Sequence, residues 1–215
     1  KNFGRELAKE SHVEADMVIP VPDSGVPAAI GYAEASRTPY ELGIIRNHYV
    51  GRTFIQPQQS IRSFGVKLKH NANASLIAGK RIILLDDSIV RGTTSVKIVR
   101  MMREAGAKEV HFRVASPPIT HPDFYGIDTP NQDQLLASNN TCEEMRKHLE
   151  ADSLSFLSIS GLYQALGHPN GRNETTPQFT DHCFTGDYPT TLQDRDGNQV
   201  EFQLSFLSTQ TTTES

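Results

Sequence analysis

Apolar residues in this chain come in short continuous runs, each closed by a cluster of turn-forming residues. Met17-Val18-Ile19-Pro20-Val21 reads as a strand covered on both faces, because it lacks the alternation of a half-exposed strand. It stops at Pro22-Asp23-Ser24-Gly25, and Pro27 then suits the first turn of a helix reaching about Ser36. Leu42 to Ile45 predicts a second short strand, and Lys80 to Leu85, with Ile82 to Leu85 unbroken, predicts a central one. A helix beginning near Val96 and capped by Thr94 or Ser95 would align Val96, Val99 and Met102, and end at Gly106. Val110 to Ala115 is the next strand, closed by Pro117-Pro118. Thr141 and Glu144 form a capping box for a helix to about Leu149. Leu154 to Leu157 reads as a strand, Gly161 to Leu166 as a short helix, and residues 2–10 as an amphipathic helix. Alternating strands and helices predict an α/β fold, with a mostly parallel sheet and helices on both faces.

The polar residues divide the chain further. From Leu42 to Leu85 there is no Asp or Glu, while Arg46, Arg52, Arg62, Lys67, Lys69, Lys80 and Arg81 all fall there, with His48 and His70. The part up to about Gly79 has little periodicity, although Arg52 to Ile55 could be extended, and Gly51 and Gly65 are candidate hinges. A long basic loop of this kind reads as a lid over an anion. Past His168 the sequence turns polar, with Val200 to Leu207 as a possible late strand and Ser208 to Ser215 as a frayed end. One domain over 1–167 and a polar extension over 168–215 are the expected divisions. With 37% hydrophobic residues and no apolar run near eighteen residues, no membrane span is expected. A net charge of −4 argues against a nucleic-acid partner, and only Tyr49, Phe54 and Phe64 in the basic stretch could stack bases. Cys142 and Cys183 form no paired motif, as suits a reducing cytoplasm. Cys142, on a capped helix, reads as inert packing.

Chemistry concentrates where the central strand ends. Asp86 and Asp87 stand at its carboxyl end, where open α/β sheets bind ligands. Ser88, Ile89, Val90, Arg91, Gly92, Thr93 and Thr94 follow, offering hydroxyls and backbone N–H groups at a helix N-terminus, where a phosphate is favoured. A ligand with a phosphate at one end and a polyhydroxylated ring at the other would use both halves. The Asp23-Ser24-Gly25 turn ends the first strand and would reach the same sheet edge. Its Ser24 and Gly25 N–H groups suit a second phosphate group.

These residues resemble a known family. The run Asp86-Asp87-Ser88-Ile89-Val90-Arg91-Gly92-Thr93-Thr94-Ser95 is similar to the phosphoribosylpyrophosphate (PRPP) motif of type I phosphoribosyltransferases. Val21 to Gly25, Asn47 to Ile55 and Phe124-Tyr125-Gly126-Ile127-Asp128 make the likeness specific to amidophosphoribosyltransferases, over about Phe3 to Tyr188. The resemblance implies a type I phosphoribosyltransferase fold with a flexible lid over about Arg46 to His70, expected to be mobile without ligand. It also implies displacement of pyrophosphate from PRPP by ammonia to give 5-phosphoribosylamine, the opening step of purine biosynthesis, with Mg²⁺ as cofactor. Carried over by position, Ser88 to Thr94 would hold the 5′-phosphate, and Asp86 and Asp87 the ribose hydroxyls. Asp23, Ser24 and Gly25 would meet the pyrophosphate, and Ser24, Asp86 and Asp87 would hold Mg²⁺. Lys67, Arg52 and Tyr49 are the lid's candidates for the reaction. Members commonly form homo-oligomers and are inhibited by purine nucleotides.

The chain departs from that pattern in three places. Full members carry an N-terminal glutaminase domain with a nucleophilic cysteine as first residue. No such domain lies in these 215 residues, so a transferase half is expected, taking ammonia from solution or from a partner glutaminase. Some members hold an iron–sulfur cluster on four cysteines. This chain has two, with Asp123 ahead of Phe124-Tyr125-Gly126, and no cluster is expected. Asp123, His182 and Cys183 could bind zinc but lack a fourth ligand, so surface or packing roles are the expectation. Gly25 stands where the family often has a hydroxyl residue. Two alternatives remain: a type I phosphoribosyltransferase acting on a base, and a non-catalytic PRPP-binding regulator. The first needs a base-recognition hood and the second a DNA-binding element, and neither is evident in the sequence.

Overall fold

The structure, a computed structural model, describes residues 1–46 and 70–190. The expected extension at Arg52 to Ile55, the hinges Gly51 and Gly65, the lid itself, the strand at Val200 to Leu207 and the frayed end lie outside these residues. Four strands, β1 (Met17–Pro20), β4 (Arg81–Asp86), β5 (Glu109–Val114) and β6 (Ser153–Phe156), form one parallel sheet in the order β1-β4-β5-β6. A separate antiparallel pair joins β2 (Ile44–Arg46) to β3 (His70–Ala72).

The sheet's two faces follow directly from the alternation of side chains along each strand. Ile19, Leu84, Phe112 and Leu154 lie in register across all four strands and belong to one core. Ile98, Val99 and Met102 of α4 (Thr93–Glu104) and Met145 and Leu149 of α6 (Cys142–Leu149) cover that face. Val18, Ile83 and Leu85 point the other way, under Leu7 of α1 (Asn2–Ser11) and Ala28, Ala29 and Tyr32 of α2 (Val26–Ser36). The predicted fold class therefore stands. On the α1–α2 face β5 carries Arg113, which is tolerated because its guanidinium donates to the carbonyls of Ser11 (2.8 Å) and Phe112 (2.9 Å) and to Ser153 Oγ (3.0 Å).

Three local readings need correction. Helix α4 starts at Thr93, not near Val96, and its N-cap is Gly92, whose φ of 73° is the left-handed conformation that glycine reaches without strain. Thr94 and Ser95 lie inside the first turn and cap nothing. Within the stretch read as aperiodic to Gly79, β3 pairs with β2, and a single helical turn, α3 (Ala74–Ile77), follows. Cys142 is exposed, its thiol 3.5 Å from the Leu154 carbonyl, and so is not a packing residue.

The α6 capping box is present as read: Glu144 N–H donates to Thr141 Oγ1 (3.3 Å) and Thr141 N–H to the Glu144 carboxylate (2.7 Å). Thr141→Ala should cost about 1 kcal/mol, lowering the midpoint of a thermal melt by about 2–4 °C. An unchanged melt would show that the box contributes nothing.

After α6 come β6 and α7 (Ile159–Ala165), and residues 168–190 then fold back over the chain. They include a short helix, α8 (His182–Thr185). Its Cys183 carbonyl accepts from Thr120 N–H (2.9 Å) and His121 N–H (3.1 Å), in the loop after β5. Arg172, its side chain buried, binds the carboxylates of Asp181, Glu174 and Asp187. Among the described residues no helix is long and apolar enough to cross a membrane.

Candidate active site

Two loops meet at the carboxyl edge of the sheet. Parallel pairing places Pro20 beside Leu85, and Val21 N–H donates to the Leu85 carbonyl at 2.8 Å, so the turn after β1 and the loop after β4 are immediate neighbours. This is the arrangement expected of the crevice outside parallel strands.

The two carboxylates of the second loop differ in environment. Asp86 ends β4 and is buried, whereas Asp87 is exposed. Asp87 N–H donates to Asp86 Oδ1 at 2.9 Å. Burial first, then the Asp87 side chain through its hydrogen bond and charge, push the Asp86 carboxyl well above the usual range, against the pull of that backbone bond. No cation among the described residues forms an ion pair with Asp86. A hydroxyl-bearing ligand or a hard cation would relieve this environment.

Beyond the acids, Ile89 and Gly92 are buried while Arg91, Thr93 and Thr94 are exposed. Gly92 carries no side-chain cap, and the first turn of α4 contains no acid. The N–H groups of that turn therefore face the loop, with the positive end of a twelve-residue helix behind them. One brace was not foreseen: Leu136 N–H, at the start of α5 (Leu136–Asn139), donates to the Val90 carbonyl at 2.9 Å, and a Cβ on Gly92 would lie 2.7 Å from the Leu136 side chain. The apolar pair Leu135-Leu136 in a polar stretch was the available signal.

In the first loop Asp23 and Ser24 are exposed and Gly25 is buried; the Pro22–Asp23 peptide is cis. Gly25 N–H donates to the Val21 carbonyl at 3.0 Å, so it is engaged within the turn and not free for a phosphate, as the sequence reading had it. Ser24 is the member of the pair left facing outward. Asp23 forms an ion pair with Arg46, the last residue of β2, which is itself opposite His70 in the β2–β3 register. Both ends of the 47–69 segment are thus anchored next to the first loop. Tyr49, Arg52 and Lys67 belong to that segment and lie outside the described residues. A cavity of about 570 Å³ between α7 and residues 170–187 is lined by no residue of either loop.

Residues 4–116 match the family model described as "Phosphoribosyl transferase domain". The chain belongs to this family. The chain is 65% identical over 209 residues to the amidophosphoribosyltransferase of Rhizobium etli, covering 97% of this chain and 42% of that protein. It is 55% identical over 192 residues to the Bacillus subtilis enzyme of the same name, covering 89% and 40%. Among solved structures, the glutamine PRPP amidotransferase of B. subtilis complexed with ADP and GMP superposes with a TM-score of 0.75 at 54% identity, covering 88% of this chain and 41% of that one. The chain thus spans about two fifths of the length of these relatives.

Proposed function

We propose that this chain is the transferase part of an amidophosphoribosyltransferase: it binds PRPP and replaces the pyrophosphate on C1 with ammonia, opening purine biosynthesis. One observation carries the reading. A buried and an exposed carboxylate stand together at the end of β4, directly before an uncapped helix N-terminus, in a chain 65% identical to an amidophosphoribosyltransferase. Ser88 to Thr94 hold the 5′-phosphate on the N–H groups of α4's first turn, and Asp86 and Asp87 orient the ribose hydroxyls. Asp23 and Ser24 flank the pyrophosphate, with Gly25 shaping the turn that carries them. Asp86, Asp87 and Ser24 present the oxygen donors that Mg²⁺ requires, and the strained charge of Asp86 fits such an ion. When bound, it supplies charge neutralisation at the leaving pyrophosphate.

Bond breaking at C1 leaves positive charge on the ribose, which the Asp86–Asp87 pair is placed to stabilise. Ammonia needs no strong base. By the resemblance, Lys67, Arg52 and Tyr49 of the 47–69 segment would act on the leaving pyrophosphate, where exclusion of water would prevent hydrolysis. Purine nucleotides, whose phosphate and ribose are those of PRPP, compete for the same loops; ADP and GMP are named with the B. subtilis structure. In the full enzyme the chain receives ammonia from a glutaminase domain, works in the cytoplasm and assembles with copies of itself.

The test is pyrophosphate release from PRPP and Mg²⁺ with ammonia, glutamine or no amine. Release stimulated by ammonia and not by glutamine is expected of these 215 residues. Release that requires a purine base would show a base phosphoribosyltransferase. Binding of PRPP without release under any condition would show a regulator.

A further inference from the structure

Residues 131–140 have no part in the reaction as assigned, yet they are fastened on several sides. Leu135 is fully buried, and Leu136 packs half-buried against the core under α4 and α6. Ser138 Oγ donates to the Thr120 carbonyl (2.5 Å), in the loop after β5, and Asn140 Nδ2 donates to the Leu136 carbonyl (2.8 Å). The Thr141 capping box then starts α6. What this anchored segment touches is the loop between Asp87 and α4.

That loop is rich in open donors. Asp87 N–H donates to Asp86 Oδ1, and Val96 N–H donates to the Gly92 carbonyl (3.0 Å). Between them no backbone N–H has a protein acceptor among the described residues. An anion is favoured here only if these N–H groups face it and the carbonyls are turned away. The Val90–Arg91 peptide is trans, and the C=O and N–H of a trans peptide point in opposite directions. Leu136 N–H holds the Val90 carbonyl (2.9 Å) on the side where Ile89 and Gly92 are buried. The Arg91 N–H is thereby turned to the open side, with the exposed Arg91, Thr93 and Thr94. The Leu136 side chain also occupies the space a Cβ on Gly92 would need, 2.7 Å away, so the 73° φ that leads into α4 is kept for glycine. Arg91 reaches the same segment through a long contact, Nη2 to Gln134 Oε1 (3.4 Å).

We propose that Leu136 is a positioning residue for the phosphoribosyl substrate: its backbone N–H, by holding the Val90 carbonyl, aims the Arg91 N–H at the phosphate monoester. The proposal rests on the phosphoribosyl reading given above and adds to it a group that acts through the loop, not on the substrate. Without that bond the peptide is free to turn over and present its carbonyl to the anion. The phosphate lies at the far end of the ligand from C1 and is unchanged by the reaction. Grip lost there is lost equally from ground state and transition state, so it appears in KM and not in kcat.

Leu136→Pro removes the N–H. Leu136 is the first residue of α5, where proline is accommodated, and Leu135 has the extended φ of −76° and ψ of 121° that precede proline. Leu136→Ala keeps the N–H and is the reference for the lost side chain. Relative to alanine, proline should raise the KM for PRPP about 3–10-fold, the equivalent of one hydrogen bond, with kcat and the KM for ammonia unchanged. Inhibition by ribose 5-phosphate should weaken by the same factor, and inhibition by pyrophosphate, assigned to the first loop, should not. Thr141→Ala, which loosens the neighbouring helix, should move none of these values. Amide exchange of the unmutated chain is a second measurement that needs no variant and decides the matter if the proline chain does not fold. Leu136 N–H should be protected, and ribose 5-phosphate should slow it further without slowing Met145 N–H inside α6. A folded proline chain with the alanine chain's KM for PRPP, or a fall confined to kcat, would overturn the proposal. So would equal weakening of pyrophosphate, or a Leu136 N–H that exchanges like an open amide with and without ribose 5-phosphate. An unmutated chain that does not bind PRPP would overturn the phosphoribosyl reading itself, and this proposal with it.

Discussion

Asp86→Asn should all but abolish PRPP-dependent pyrophosphate release while making the ligand-free chain more stable. Asp86 is the buried member of the acidic pair, with its carboxyl pushed well above the usual range by burial and by Asp87. A raised folded-state value means that the native chain holds its proton more tightly than the unfolded chain. The stability this confers is fully present below the unfolded value of about 3.9 and is lost as pH rises through the folded one. Above that folded value the free protein carries an unfavourable charge at the end of β4. Asparagine removes that charge and keeps the carbonyl oxygen that accepts from Asp87 N–H. The same substitution deletes a carboxylate assigned to the ribose and Mg²⁺, and the rate should fall by at least about 10²–10³-fold. Melting temperature against pH, with and without the substitution, should show the variant's advantage growing from acid toward neutral pH. Asp87→Asn, at an exposed position, should lose activity with little change in stability. An Asp86→Asn variant that retained a tenth of the activity, or melted lower at every pH, would refute the assignment.

A carboxylate that burial disfavours in the free chain is also why the candidate site stood out in the sequence. Ile82 to Leu85 followed at once by two acids is a pattern that burial alone would select against, so it pointed to a ligand. The sheet was legible for a related reason: runs such as Met17 to Val21 can only be covered on both faces, and the structure covers them. The Thr141–Glu144 box was legible because both halves of its chemistry lie within one turn of helix.

What escaped the sequence lacked a local signature. Of the β2–β3 pair only the first strand was read, at Leu42 to Ile45 against the observed Ile44–Arg46; β3 is three residues long and includes the polar His70-Asn71, so it shows no period. The true start of α4 depends on the backbone sign at Gly92, which a string of Ser, Gly and Thr does not specify. That Gly25 uses its N–H inside its own turn is a matter of backbone direction, invisible to composition. Asp123 and His182 meet, and Arg172 gathers three carboxylates, only because residues 168–190 fold back over the chain, a tertiary event.

The largest purely structural effect is expected at Gly4. Helices α1 and α2 pack through it so closely that a Cβ there would run into the Ala28 carbonyl, with the Tyr32 nitrogen 2.8 Å away. Both are helix backbone and neither can rotate aside, so Gly4→Ala must push the helices apart. The layer this opens contains Leu7, Ala8, Ala28, Ala29 and Tyr32, all buried, and the Tyr32 hydroxyl bond to the Ser11 carbonyl (3.1 Å). Alanine gains up to about 1 kcal/mol of helix propensity over glycine, but overpacking costs about 1–3 kcal/mol and more where nothing can yield. We expect a net loss of about 3 kcal/mol, a fall of about 6–12 °C in melting temperature. Gly79→Ala is the control: φ is 74° there, nothing lies within 4 Å of the new Cβ, and only the left-handed backbone penalty of about 1–2 kcal/mol applies. Because α2 begins at Val26, directly after the Asp23-Ser24-Gly25 turn, displacing it should also weaken PRPP binding, which Gly79→Ala should not. A Gly4→Ala chain that melted at or above the original would show that the two helices can separate freely, and that their close approach is not what holds the first loop in place.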